Sequence, residues 1–295
     1  MHDPFLVLGK NKLFFNEAMS AHTSFKIGGN ADIVFLPENV HDIKTCINIC
    51  KEHSKPYYVM GNGTNLLVLD KGYRGVVIKT TGLDNIKKVG DSFYVGAGVE
   101  LLGLCEFFLS EGYTGLEFAC GIPGTVGGAI FMNAGAYASE FSDVIVSVDL
   151  LVDGQISTFS KEQMNFGYRK SIVGGTDMVI VGATFSLQKG EYSAIKERMD
   201  ELQKKRSEKQ PLDMPSAGST FKRPKGDFAG RLIRESGMVG YRIGGAVVSE
   251  KHAGFIINTG GATAQNVLDL IEKIKKAVKE KFNIDLEKEL INIGE

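Results

Sequence analysis

Apolar positions recur at helical spacing in three long stretches. In 40–53, Val40, Ile43, Ile47 and Cys50 fall on one face of a helix. In 191–209, Ile195, Met199 and Leu202 do the same. In 264–282, Val267, Leu270, Ile271, Ile274 and Val278 form a stripe behind Thr263, a good N-cap residue. Helices are also expected at 99–111 and 227–235. Shorter apolar runs bounded by glycine read as strands: 57–60, one beginning at Leu66, 76–79, 92–96, 144–152, 155–159, 178–187, 217–222, 245–249 and 253–257. Asp153-Gly154 is a strong hairpin turn between two of them. Residues 5–8 read as a strand or a helical turn, and 283–293 as a final strand. The long stretch 112–138, in the middle of the strand-rich region, is rich in glycine.

Helices and strands do not alternate as they would along a parallel sheet, so the fold class is α+β. Three parts are expected: 1–85, 86–208 and 209–295, with the final strand staying in the last part or returning to the first. A chain of 295 residues is long enough for several domains with a substantial core. A formal charge of -1 gives no general attraction to nucleic acid, so an anion site must be local. No apolar run reaches transmembrane length and no secretory leader is evident, so membrane insertion is not expected. Cys46, Cys50, Cys105 and Cys120 sit in apolar surroundings without zinc spacing. They read as core thiols of a reducing cytosol, and no metal site is expected.

Glycine is the outlier: 36 of 295 residues, against about 7% on average. It is clustered. Gly61-Asn62-Gly63-Thr64-Asn65-Leu66 follows a strand, and its N–H groups could wrap a phosphate. It is neither a Rossmann fingerprint nor a P-loop, and taken alone it is equally an ordinary turn. Gly121-Ile122-Pro123-Gly124-Thr125-Val126-Gly127-Gly128 is denser and ends in Asn133-Ala134-Gly135-Ala136-Tyr137. Small residues let backbone lie against a flat ligand, although a tight crossover would use them too. Two such clusters suggest one dinucleotide. Further polar clusters are Tyr168-Arg169-Lys170-Ser171, Ala217-Gly218-Ser219-Thr220-Phe221-Lys222-Arg223-Pro224 and Leu286-Glu287-Lys288-Glu289.

These six motifs, in this order, closely resemble the UDP-N-acetylenolpyruvoylglucosamine reductase family from about Thr23 to Gly294. The resemblance implies a two-domain FAD fold of the vanillyl-alcohol oxidase (PCMH) type with a C-terminal α+β substrate domain. The chain looks like the shorter class of the family, without the inserted tyrosine loop. The implied reaction is reduction of the enolpyruvyl ether of a UDP-amino sugar, with non-covalent FAD as cofactor and NADPH as co-substrate, on the route to peptidoglycan. The resemblance assigns catalysis to Arg169 as the cation beside the developing enolate, Ser219 as the proton donor, and Glu289 as a neutral acid on the substrate carboxylate. Flavin contacts are expected from Gly61, Asn62, Gly63, Thr64, Asn65, Leu66, Gly121, Pro123, Gly124, Thr125, Val126, Gly128, Asn133, Ala134 and Gly135. Substrate contacts are expected from Tyr168, Arg206, Lys209, Arg223 and His252. Arg223 stands where longer members have Asn, and His252 about where they have Gln. Nothing in the chain calls for an obligate protein partner. Two rivals are another flavoenzyme of the same fold and a noncatalytic nucleotide-binding protein. The first commonly carries a covalent histidine in the 61–65 loop, which has none; the second has no need of Arg169, Ser219 and Glu289 together.

Overall fold

The computed structural model describes residues 3–295. By contact the chain divides into two units. One comprises Met1–Phe14, Ile33–Asn62 and Gly75–Arg206; the other Phe15–Asp32, Gly63–Arg74 and Ser207–Glu295. The expected division at 208/209 lies two residues from the last passage between units, whereas 85/86 falls inside the first unit. Six α-helices occur among the described residues: α1 (Val40–Glu52), α2 (Leu101–Ser110), α3 (Val126–Phe131), α4 (Tyr192–Lys209), α5 (Ala229–Glu235) and α6 (Ala264–Phe282). Near the N-terminus, Asp3 accepts from the Phe5 N–H and Pro4 starts a 3-10 turn, so 5–8 is helical rather than extended.

The first unit is built on a five-stranded antiparallel sheet in the order Gln155–Ser160, Ile145–Val152, Val179–Phe185, Ser92–Gly96, Ile86–Val89. Asp153 and Gly154 both have positive φ, 47° and 75°, as a two-residue hairpin turn matching strand twist requires. Phe93 anchors the core, its ring edge-to-face with Phe108 at 5.1 Å and Tyr113 at 4.9 Å. The glycine-rich segment holds regular structure. It carries α3, whose buried Val126, Ala129 and Ile130 hold it on the sheet despite Gly127 and Gly128. Packing overrides their poor helix propensity. Gly127 is required by close approach, since a Cβ there would lie 3.0 Å from that of Ala97.

In the second unit an antiparallel sheet runs Ser216–Ser219, Phe255–Asn258, Ala246–Val248, Arg242–Ile243. The α6 stripe packs with it, burying Val267, Leu270, Ile271, Ile274 and Val278, at about 1.5–3 kcal/mol for each large side chain. Its N-terminus is capped twice. Thr263 and Asn266 form a capping box, and the Asp70 carboxylate accepts from Ala264 N and Gln265 N at 2.7 and 2.9 Å. The final strand is shorter than expected. Asn283 ends α6 in the left-handed region, and only Ile291–Ile293 is regular, parallel to Leu66–Val68. Between them the backbone makes an isolated bridge, Lys288 to Phe221.

Candidate active site

In the first unit the two glycine clusters touch. A Cβ on Gly61 would fall well inside the radius of Thr125 Oγ1 and 3.2 Å from Thr125 Cβ. Asn62 donates to the Glu100 carboxylate at 2.8 Å, and Glu100 bridges Thr125 through the backbone. Thr125 caps α3, accepting from Gly128 N. The N–H groups of Val126 and Gly127 are spent on Val99 and Ala97 carbonyls. Gly121, Ile122, Gly124 and Gly127 are partly accessible, and Pro123 and Gly128 are exposed. Asn133 is wholly buried and uses its amide internally, while Ala134 and Gly135 are partly accessible.

Arg169 sits in a two-residue turn closed by Gly167 N to Lys170 O at 3.0 Å and Lys170 N to Gly167 O at 3.1 Å. Its φ is 55°, a region that favours glycine or asparagine, at a cost of about 1–2 kcal/mol for other residues. Strain of this kind concentrates at functional sites. The guanidinium donates through Nη2 to Gly135 O at 3.1 Å and stacks 4.9 Å above the ring of Tyr168, itself 52% exposed. Arg206, on α4, lies against Gly121, where an added Cβ would meet its Cδ at 2.6 Å. Its Nε is buried with no hydrogen-bond partner, and burial presses the guanidinium below its ordinary pKa. Arginine does not give up its proton, so this position favours an anion.

In the second unit the structure brings Ser219 and Glu289 onto adjoining backbone. Glu289 N donates to Thr220 O at 2.9 Å, and Lys222 N to Glu287 O at 2.8 Å. Gly218, at φ 74°, accompanies a break in register between Ser216 and Ser219, and Ser219 is exposed. Glu287 is exposed and ion-paired with Lys222, whereas Glu289 is half-buried. That contrast separates the two acids of the Leu-Glu-Lys-Glu motif. Asn65 braces the same segment: its Nδ2 donates to Glu289 O at 3.3 Å, and its carbonyl accepts from Ile291 N at 3.1 Å. Gly63 and Leu66 are buried, with Gly63 O accepting from Ser24 N; Thr64 is partly accessible.

Lys209 is exposed at the end of α4. Arg223 lies 4.0 Å over the Phe228 ring and donates to Asp227 O. His252 is partly buried, and its Nδ1 accepts from Gly254 N at 3.1 Å, which places the ring proton on Nε2. Burial lowers its pKa. Two polar groups beyond the sequence reading also border the glycine segments. Ser171 is buried and donates to Phe131 O at 2.8 Å. Lys79, paired in register with Met60, is pushed below its ordinary pKa by burial, with Glu100 opposing. Ser171 was visible as the last residue of Tyr-Arg-Lys-Ser; Lys79 had no sequence signal, because only its tertiary burial distinguishes it from a surface lysine. Among the described residues no helix is long and apolar enough to cross a membrane.

Comparison with known proteins supplies the family. Residues 31–160 match the FAD binding domain model, and residues 210–293 match the model for the C-terminal domain of UDP-N-acetylenolpyruvoylglucosamine reductase. A reductase of that name from Clostridium botulinum is 50% identical over 290 residues, covering 98% of this chain and 95% of the relative. The crystal structure of UDP-N-acetylenolpyruvylglucosamine reductase from Thermus caldophilus superposes with a TM-score of 0.82 at 35% identity, over 94% of this chain and 97% of that one. A variant of berberine bridge enzyme shares the fold over 64% of this chain and 43% of its own, at 16% identity and a TM-score of 0.51. The chain therefore belongs to the UDP-N-acetylenolpyruvoylglucosamine reductase family and is an FAD-dependent oxidoreductase of the flavin-binding α+β fold, with the family's C-terminal domain.

Proposed function

We propose that this enzyme uses NADPH to reduce UDP-N-acetylglucosamine enolpyruvate to UDP-N-acetylmuramate in the cytosol, where its four buried thiols remain reduced. The accessible residues of the glycine segment 121–128 fit a flat group such as FAD, and Arg206, whose buried Nε has no hydrogen-bond partner, fits an anion such as the substrate diphosphate. FAD, held along the accessible glycine segment, would supply the hydride-transfer chemistry that links NADPH to the terminal carbon of the enolpyruvyl double bond. As negative charge grows on the neighbouring carbon and its carboxylate, the Arg169 cation stabilises it, at a site whose geometry is set before reaction. Glu289, in its neutral form, donates a hydrogen bond to the same carboxylate. Ser219 gives its hydroxyl proton to the neighbouring carbon and regains one from solvent. Tyr168, Arg206, Lys209, Arg223 and His252 hold the diphosphate, sugar and base.

The observation that supports this reading is the backbone bond from Glu289 N to Thr220 O, which joins the segment of this half-buried acid to the serine motif. The test is NADPH consumption by the yellow holoenzyme on adding the enolpyruvyl sugar. Consumption is expected to match product and saturate with that sugar. NADPH oxidation indifferent to the sugar refutes the substrate. Ser219→Ala is expected to leave NADPH oxidation near the native rate and to slow sugar reduction by about 10²–10⁴-fold. Equal slowing of both steps removes Ser219 from proton transfer.

A further inference from the structure

We propose that Asn133 and Ser171 form a buried clamp that fixes Arg169 in its working position, acting on the reaction only through that arginine. The inference rests on the role proposed above for Arg169.

The turn that carries Arg169 is strained, and a strained turn relaxes unless its surroundings hold it. Two side chains hold this one from opposite ends. Before the turn, Asn133 Nδ2 donates to Gly167 O at 3.2 Å, while Asn133 Oδ1 accepts from Ser142 N at 3.0 Å. Asn133 is 0% exposed and has φ 39°, so its amide serves from inside the protein with both ends committed. Beyond the turn, Ser171, 3% exposed, donates its hydroxyl to Phe131 O at 2.8 Å. The base of the loop is closed by Ile172 N to Met164 O at 2.8 Å. Arg169 Nη2 bonds Gly135 O, a third anchor on the same stretch.

All three anchors land on Phe131, Asn133 and Gly135. The arginine is thus positioned relative to the end of the glycine-rich segment that is expected to lie along the flavin. A cation that must meet charge appearing only during reaction gains from being fixed beforehand, and displacement by about 1 Å costs on the order of 10²-fold. An amide is required at 133 because one side chain must donate to Gly167 and accept from Ser142. A carboxylate there could not donate, and at 171 a hydroxyl is the smallest group that reaches Phe131 O.

The experiment uses the holoenzyme and the variants Ser171→Ala, Asn133→Ser, Ser171→Thr, Arg169→Ala and Ser171→Ala with Arg169→Ala. Flavin content, NADPH oxidation and sugar reduction are followed separately, with hydrogen exchange of a peptide spanning 164–172. Ser171→Ala is expected to keep flavin and NADPH oxidation within about twofold, and both Ser171→Ala and Asn133→Ser are expected to slow sugar reduction by about 10–100-fold and to speed exchange in that peptide. Ser171→Thr, which keeps the hydroxyl, is expected to stay near the native rate. In the Arg169→Ala background, Ser171→Ala is expected to add no further slowing, because its only route has gone. Independent slowing in that background, or native sugar reduction in both single variants while Arg169→Ala is slow, overturns the clamp. A native rate in Arg169→Ala overturns the role of Arg169 itself, and the clamp with it. If Asn133→Ser fails to fold, Ser171→Ala and its rescue by threonine decide the matter.

Discussion

Replacing Gly61 by alanine tests whether the two glycine segments are small because they face each other or because they face the cofactor. The new methyl would press on Thr125 Oγ1 and sit 3.2 Å from Thr125 Cβ. Thr125 is 1% exposed and caps α3, so it cannot swing aside without giving up that bond. Losing an N-cap costs about 0.5–2 kcal/mol, and forcing a methyl into a packed contact costs about 1–3 kcal/mol. The sum, about 1.5–5 kcal/mol, lowers Tm by about 3–20 °C at the 2–4 °C per kcal/mol usual for a unit of this size. The assay is thermal unfolding of flavin-free and flavin-loaded protein, in Gly61→Ala, Thr125→Ala and the double variant. Loss of stability is expected in the flavin-free protein too. The double variant is expected to lose less than the sum of the single losses, by at least about 0.5 kcal/mol, since one clashing atom is gone. A flavin-free Gly61→Ala protein that melts at the native temperature refutes the packing argument and assigns the glycine to the ligand.

Arg206→Met is expected to leave the flavin-free protein at least as stable, since it removes a buried Nε that has no hydrogen-bond partner, and to raise KM for the UDP-sugar by about 10-fold or more. Loss of flavin with an unchanged KM would give the arginine to the cofactor pyrophosphate instead. His252 has its pKa lowered by burial below the ordinary 6.5, so the unfolded chain binds the proton more readily. Its contribution to stability is therefore complete above about 6.5 and is lost as pH falls. His252→Gln should flatten the decline in Tm below that pH, and an unaltered slope would contradict the assignment. Ala138→Gly should raise stability by up to about 1 kcal/mol, read by thermal melting, because φ at Ala138 is 65°. A lower Tm would show that the alanine methyl contributes packing worth more than the strain.

Much of the fold was legible without coordinates. The stripe of α6 and its Thr263 cap, the apolar face of α1, and the Asp153-Gly154 hairpin all follow from periodicity and turn chemistry, which depend on nearest neighbours in sequence. The strands Leu13–Ala18 and Asn30–Phe35 are not signalled by the sequence, because their apolar pattern is short and irregular and sheet pairing stabilises them. Helix α3 was hidden by its own glycines, whose weak propensity is overcome only by burial against the sheet. The order of the six motifs marked the family, because each motif carries a local requirement for small, charged or hydroxyl residues.

What the chain alone could not express was which polar group would find which partner. Glu287 and Glu289 are both acids two positions apart, and only folding leaves Glu287 exposed and Glu289 half-buried. Asn133 and Asn65 stand among glycines that invite a cofactor, yet their amides brace Gly167 and Glu289. Arg206 is one of several basic residues on α4, and its burial without a hydrogen bond at Nε is visible only in space. Periodicity is a property of adjacent residues and so is written in the sequence. Hydrogen bonding between residues tens to hundreds apart depends on distance and desolvation, and these exist only once the chain has folded.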